Sequence, residues 1–373
     1  MSKKPTIYCI VAARPNFVKI APIMAELEKQ GELKGVLIHT GQHYDSNMSD
    51  VFFSDLNIPV PDVHLGIGSG THAEQTGKLM IAFEKLCMDE RPDIVLVVGD
   101  VNATVACSLV AAKLHIPVAH VEAGLRSGDR RMPEEINRIV TDGLSDLLFT
   151  TYCDADNNLL REGIDPNKIH FTGNVMVDTL LLNKNKLDPD AVVSEILGPD
   201  YVEADYALLT MHRPSNVDHK QLMEGWVSAF ESVSQKIDLV CPAHPRTEKQ
   251  LRLFGLFDRF KAAVRMMKPL GYLQFVALMK NARLVITDSG GLQEESTMLG
   301  VPCLTIRENT ERPVTITHGT NVLVGVNPDD LQAQVERVLE SAEKTHWVVP
   351  DLWDGHAAQR IVKILVEKMS ASV

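Results

Sequence analysis

Short apolar runs alternate with amphipathic stretches along this chain, and the alternation begins twice. A buried parallel strand reads as a brief unbroken apolar run, whereas a surface helix repeats its apolar residues about every three to four positions. Strands are predicted at Thr6–Ala12, Gly35–His39, Asp93–Val98, Pro117–Val121, Leu147–Thr150 and Ile169–Phe171. Helices are predicted between them over Asn16–Gln30, Ala73–Asp89, Ala103–Leu114 and Glu134–Leu144. After residue 173 the pattern restarts, with strands at Tyr206–Thr210, Leu239–Pro242, Ala263–Met266, Leu284–Thr287, Cys303–Ile306 and Val322–Val324. Alternating βα units build parallel sheets with helices on their faces. The expected architecture is α/β, with two Rossmann-like domains facing a cleft. One is residues 1–172, joined by a C-terminal helix 356–373, and the other is residues 173–355.

The bulk numbers narrow the function. A formal net charge of −12 argues against broad binding to nucleic acid or anionic membranes. Aromatic content of 5% gives few stacking platforms for single strands. No apolar stretch approaches a membrane span, and the N-terminal apolar run is broken by Arg14 and Pro15, unlike a signal peptide. The six cysteines show no CxxC pair, and several sit in apolar runs, which suits a reducing compartment. A cytoplasmic protein with no nucleic-acid or membrane partner is expected.

The chemistry concentrates at strand ends, where open α/β sheets place their sites. Asp100 follows the run Ile94–Val98, Glu122 ends a strand, and Glu134 opens a helix. The loop between Glu122 and Arg138 is rich in arginine. Carboxylates among arginines suit acid/base work on an anionic substrate. In Ile286-Thr-Asp-Ser-Gly-Gly-Leu-Gln-Glu-Glu-Ser296, a strand passes through small residues into a helix. Free N–H groups at Ser289, Gly290 and Gly291 would bind phosphate, with Glu295 one turn on as an acceptor for a ribose diol. The same segment also reads as an ordinary N-capped helix. Arg14 and Lys19 lie where they reach a diphosphate, or are solvated charges. His43, His212 and His244 each follow a strand end, with Arg213 beside His212. Arg312 lies in a charged loop after another strand. No GxGxxG follows the first strand, so no nicotinamide or flavin cofactor is expected there. No spacing suits a zinc site, so no metal is expected.

Taken in order, Ala13-Arg-Pro, Thr40-Gly-Gln-His43, Gly99-Asp100, His120-Val-Glu-Ala-Gly124, Pro133-Glu-Glu-Ile-Asn-Arg138, His212-Arg213, Asp288-Ser-Gly-Gly-Leu-Gln-Glu-Glu295 and Thr310-Glu-Arg-Pro313 form a specific set. Over nearly its whole length the chain resembles the non-hydrolysing UDP-N-acetylglucosamine 2-epimerases, whose fold is shared with GT-B glycosyltransferases. The resemblance implies UDP on the second domain, with Ser289 and Gly290 at the diphosphate and Glu295 at the ribose. It implies that Arg14 closes on the diphosphate, and that Asp100, Glu122, Glu134 and His212 surround the hexosamine as catalytic residues. Lys19, Gln42, His43, Arg138, Arg213, His244, Gly291 and Arg312 complete the expected binding set for a UDP-N-acetylhexosamine. A homodimer without cofactor is expected.

The C2 proton of an N-acetylhexosamine is not next to a carbonyl, so its direct removal leaves an unstabilised carbanion. The route open without a redox cofactor breaks C1–O first, releasing UDP, and a carboxylate then removes the C2 proton to give a 2-acetamidoglucal. Reprotonation on the opposite face and return of UDP invert C2. Some departures bear on substrate and regulation. The Arg131-Met-Pro-Glu-Glu135 form and the Gly70–His72 stretch look closer to relatives acting on UDP-2,3-diacetamido-glucuronate, and Arg130 and Arg131 either meet the sugar carboxylate of such a substrate or are solvated. Val314 replaces a glutamate common after the Glu-Arg-Pro motif. Pro214 stands where many bacterial members carry an arginine for an activating second substrate molecule, so such activation is not expected. A UDP-sugar glycosyltransferase, a hydrolysing relative and a non-catalytic sensor are the alternatives.

Overall fold

Ile94–Val98 (β4) is buried along its whole length, as a central strand covered on both faces must be. The computed structural model describes residues 4–41, 56, 58–184, 186, 188–341 and 347–370. Around β4 lie Thr6–Val11 (β1), Lys34–His39 (β2), Val63–His64 (β3), Val118–Ala123 (β5), Leu147–Thr150 (β6) and Ile169–Phe171 (β7). They form one sheet in the order β3-β2-β1-β4-β5-β6-β7, with every pair parallel. A second sheet collects Tyr206–Thr210 (β8), Asp238–Pro242 (β9), Val264–Met267 (β10), Leu284–Thr287 (β11), Cys303–Thr305 (β12) and Asn321–Leu323 (β13). Its order is β10-β9-β8-β11-β12-β13, again all parallel. In each sheet the strand order reverses once, between β1 and β4 and between β8 and β11. Such switch points open a crevice at the strand C-termini.

The expected strands and helices are present within a few residues of their predicted ends. Helices Cys153–Arg161, Val175–Asn183, Pro245–Phe254 and Phe257–Ala263 were not anticipated, nor was β3. Cys153–Arg161 is mostly polar and buries only Ala155 and Leu159, too few apolar positions for a periodic signal. β3 spans two residues, too short for any alternation.

Contacts divide the chain into Met1–Leu182 with Asp351–Val373, and Asn183–Pro350. The seam therefore lies about one helix beyond the expected 172/173. Hydrogen bonding gives the reason. Within the helix Val175–Asn183, Thr179 Oγ1 donates to Val18 O at 2.6 Å. Asp178, buried, accepts the N–H groups of Ala357 (3.1 Å) and Ala358 (2.7 Å). Those two residues open the last helix, Ala357–Ser370, which buries Ile361, Val362 and Leu365. Trp353 Nε1 donates to Thr151 O at 3.0 Å just before it. The last helix thus packs with the first unit, against the helix Arg14–Gln30.

The first core joins Tyr8, Ile10, Val95 and Val97 to Phe83, Ala106 and Val110 from the flanking helices. The second centres on Trp226, stacked on Phe230, which meets Phe260 edge-on. No helix among the described residues is long and apolar enough to cross a membrane. Replacing Asp178 by alanine strands two buried N–H groups at a helix start, and should lower stability by about 1–3 kcal/mol, read as a shift in the urea midpoint.

Candidate active site

The first switch point is held together by Asn16. Its Oδ1 accepts the Ala13 N–H at 3.0 Å and its Nδ2 donates to Val98 O at 2.9 Å, tying the end of β1 to the end of β4. One turn into the same helix, the buried Lys19 ammonium donates to the buried Glu122 carboxylate. Glu122 is reached by a distortion of β5. The pairing with β6 shifts between Val121 and Ala123, and Glu122 has φ of 70°. A left-handed glutamate in a bulge is strained backbone, which persists where surrounding structure holds it. Gly99 makes room for the pair: a Cβ there would stand 3.1 Å from Lys19 Nζ and 3.3 Å from Glu122 Oε2, on a residue with φ of 70°.

His120 lies beneath, fully buried. Its ring nitrogens face Asp142 Oδ1 at 2.6 Å and Gly99 O at 2.8 Å. Asp142 also takes the Gly124 N–H and the Arg126 guanidinium. Burial pushes the Asp142 carboxyl upward, but His120 and Arg126 outweigh it and hold the group below the usual range. Arg138, also buried, reaches Asp100 Oδ2 at 2.5 Å and Glu135 Oε2 at 2.6 Å. Glu134 sits half-buried in the first turn of the helix Pro133–Leu144 and makes no hydrogen bond or ion pair among the described residues. Arg14 begins the first helix, and burial lowers its pKa.

At the second switch point Asp288 directly follows β11, fully buried. Its Oδ2 accepts the backbone N–H groups of His212 and Arg213, each at 2.8 Å, and Asn216 Nδ2 at 3.1 Å. Its Oδ1 lies 3.0 Å from His212 Nδ1. Burial alone would raise its pKa, but His212 and the two N–H groups bring it down to about 2. A carboxylate at Nδ1 fixes the orientation of an imidazole and leaves Nε2 for substrate, as in Asp–His dyads. His244 packs beside the ring of His212 at 5.3 Å between centroids, and its own Nδ1 accepts the Arg246 N–H at the start of the helix Pro245–Phe254.

Ser289 precedes the helix Gly290–Leu299, yet its side chain makes no capping bond. The first N–H groups of that helix are therefore not spent on an N-cap side chain, which favours the anion-site reading over the ordinary cap. Guanidiniums crowd the same place. Glu311 holds Arg307 at 2.6 Å, Arg312 in direct contact and Arg213 at 3.8 Å, and Arg312 Nε also meets Glu294 at 3.0 Å. Burial pushes the Glu311 carboxyl up, but Arg312, Arg307 and Arg213 outweigh it and hold it well below the usual range. Gly290 is the closest approach, since a Cβ there would meet Arg312 Nη1 at 2.5 Å and Glu311 Oε1 at 2.6 Å. Gly291 follows it in the first turn. Arg312 is thus built into the wall through two carboxylates.

Gln42 and His43 lie outside the described residues. The remaining expected residues form two groups, one per unit: Arg14, Lys19, Asp100, Glu122, Glu134 and Arg138, and His212, Arg213, His244, Ser289, Gly290, Gly291, Glu295 and Arg312. Arg131 is largely exposed, and its Nε lies 2.8 Å from Asp129 Oδ1.

A family model described as UDP-N-acetylglucosamine 2-epimerase matches residues 25–366. The UDP-N-acetylglucosamine 2-epimerase of Methanocaldococcus jannaschii is 47% identical over 95% of this chain and 97% of its own. The chain belongs to the UDP-N-acetylglucosamine 2-epimerase family. The crystal structure of the M. jannaschii enzyme in complex with UDP-GlcNAc and UDP superposes with a TM-score of 0.90 at 46% identity, over 97% of this chain and 99% of that one. The UDP-2,3-diacetamido-2,3-dideoxy-D-glucuronate 2-epimerase of Pseudomonas aeruginosa is 39% identical over 97% of this chain and 99% of its own. Membership of the epimerase family makes the chain an isomerase of GT-B-like fold.

Residues that orient this epimerase's site escaped the sequence reading. Asp288, Asp142, Glu135 and Glu311 are acidic residues whose partners lie far away in sequence or in ordinary-looking loops. For Asp288 alone a local signal existed, its place as the last residue before Ser-Gly at a strand end. Glu295 is different again. It is buried, and desolvation chiefly, with Glu294 adding to it, raises its pKa to about 7 against the lowering effect of Tyr272. The folded state keeps that proton while the unfolded chain releases it in the ordinary glutamate range. Stability from this group is therefore lost as pH rises from there to about 7, and is level above. Glu295→Gln should remove that loss, with a gain of about 2–3 kcal/mol at pH 8 that shrinks toward zero at pH 4, measured by denaturant unfolding across pH.

Proposed function

We propose that this epimerase interconverts UDP-N-acetylglucosamine and UDP-N-acetylmannosamine without hydrolysis, by eliminating UDP to 2-acetamidoglucal and adding it back. The observation that carries this reading is the division of chemistry between the switch points. Carboxylates gather at the first, and guanidiniums, an uncapped helix start and the Asp288–His212 pair at the second. The uncapped helix start at Ser289–Gly291 and the guanidinium of Arg213 suit a diphosphate. Glu295 adds an acceptor for the ribose.

As C1–O breaks, negative charge grows on the departing phosphate, and helix N–H groups and guanidiniums stabilise it there. A carboxylate then takes the C2 proton. Glu134, with no ion pair among the described residues, is suited to accept it, whereas Glu122 and Asp100 are paired with Lys19 and Arg138 and shape the charge around the sugar. His212, fixed by Asp288, moves a proton near the bridging oxygen. Delivery of hydrogen to the other face and return of UDP complete inversion.

Several finer readings accompany this one: a homodimer, a cytoplasmic setting supported by six free cysteines, and a place in polysaccharide biosynthesis. The M. jannaschii relative supports the N-acetylglucosamine substrate over the diacetamido-glucuronate alternative.

Incubated with UDP-N-acetylglucosamine in deuterated water and no acceptor, the protein should incorporate deuterium at C2 and yield the manno epimer. His212→Asn and Glu134→Gln should each slow turnover by about 100-fold or more, with UDP affinity little changed. Absence of exchange with any UDP-hexosamine refutes the proposal. Product formed only with an acceptor would indicate a glycosyltransferase, and UDP released in step with free hexosamine a hydrolysing enzyme.

A further inference from the structure

We infer that Glu135 is a positioning residue of the epimerase site, holding the Ser127–Gly128 turn and, through Arg138, the Asp100 carboxylate in one fixed arrangement. This rests on the reading of Asp100 as part of the sugar-side machinery. Glu135 is 2% exposed and stands next to Glu134, but its fate is opposite. Its Oε2 accepts from the Ser127 N–H (2.9 Å), the Ser127 hydroxyl (3.0 Å), Arg138 Nε (3.2 Å) and Arg138 Nη2 (2.6 Å). Its Oε1 accepts the Gly128 N–H at 2.9 Å. A carboxylate with so many donors is locked in place.

The donors matter by where they lie. Ser127 and Gly128 belong to the loop that leaves the Glu122 bulge and enters the helix at Pro133 and Glu134. Two carboxylates of the proposed chemistry therefore flank the loop that Glu135 pins. Gly128 has φ of 73°, and Asp129 N–H returns to Ser127 Oγ at 3.2 Å, so the turn has a defined shape to hold. On the other side Arg138, 1% exposed, carries the link to Asp100 Oδ2 at 2.5 Å. Asn137 Nδ2 donates to the backbone oxygen of Asp100 at 2.9 Å. One helical turn thus grips Asp100 by main chain and side chain, and grips the loop by two amides and a hydroxyl. Neutralising Glu135 leaves Arg138 buried with less opposing charge and shifts its balance toward Asp100.

The test compares Glu135→Gln, Glu135→Asp and Ser127→Ala with the parent protein. Glu135→Gln should remain folded by circular dichroism and bind UDP within about twofold of the parent, while kcat for C2 deuterium exchange falls on the order of 10- to 100-fold and KM moves little. Backbone amide exchange at Ser127 and Gly128 should quicken. Ser127→Ala should show the same pattern more weakly, about threefold in kcat, and Glu135→Asp should recover part of the loss. If Glu135→Gln does not fold, the other two variants decide by the same readouts. Parental kcat in the variants that fold, or a parallel fall of kcat, UDP affinity and thermal stability, overturns the inference. Should the parent turn over no UDP-hexosamine, the functional reading fails by itself. The amide-exchange comparison then still decides, because unchanged protection at Ser127 and Gly128 defeats Glu135 as their anchor and quickened exchange supports it.

Discussion

Buried carboxylates that keep their charge are the constraint on which this molecule turns. Removing a carboxylate from water favours its neutral form unless cations or N–H groups are built against it. Asp288 meets that demand with two backbone amides, an asparagine and a histidine. Asp142 meets it with His120, Arg126 and an amide of Gly124. Each arrangement ties together strand ends that are distant in sequence, so satisfying the charge and assembling the switch point are one event. Glu295 and Asp178 go the other way, their pKa values raised chiefly by burial, Glu295 to about 7.

The same logic separates the two adjacent glutamates at the start of the helix Pro133–Leu144. Glu135 faces the loop and Arg138 and is saturated with donors, whereas Glu134 keeps its capacity to accept. A saturated anion is a poor base and a good strut. An unsaturated one at a helix start, where the dipole favours negative charge, is available for proton transfer.

The fold was readily legible because it is written in local signals. Runs such as Ile94–Val98 declare buried strands, and helices such as Arg14–Gln30 bury apolar residues every three to four positions. The unanticipated helices were short or polar. The site was half legible. Glycines beside chemistry, as in Gly99-Asp100 and Ser289-Gly-Gly291, marked the turns, and strand ends marked the histidines. The distinction between a capped helix and an anion site could not be read from Asp-Ser-Gly, since both use the same residues. It depends on whether Asp288 turns to its own helix or, as here, to the amides of His212 and Arg213 across the sheet. Likewise Arg312 and Arg138 look like surface charges in one dimension and are buried in three.

The return of the last helix to the first unit has a consequence for biogenesis. Because Ala357–Ser370 follows the whole of Asn183–Pro350 in the chain, the second unit is inserted within the first. On the ribosome the inserted unit has all its strands available while its host still waits for a closing helix. Asp178 must therefore spend that interval without the amides of Ala357 and Ala358 that it later accepts. The portion of the polypeptide made earliest is the one whose folding is completed last.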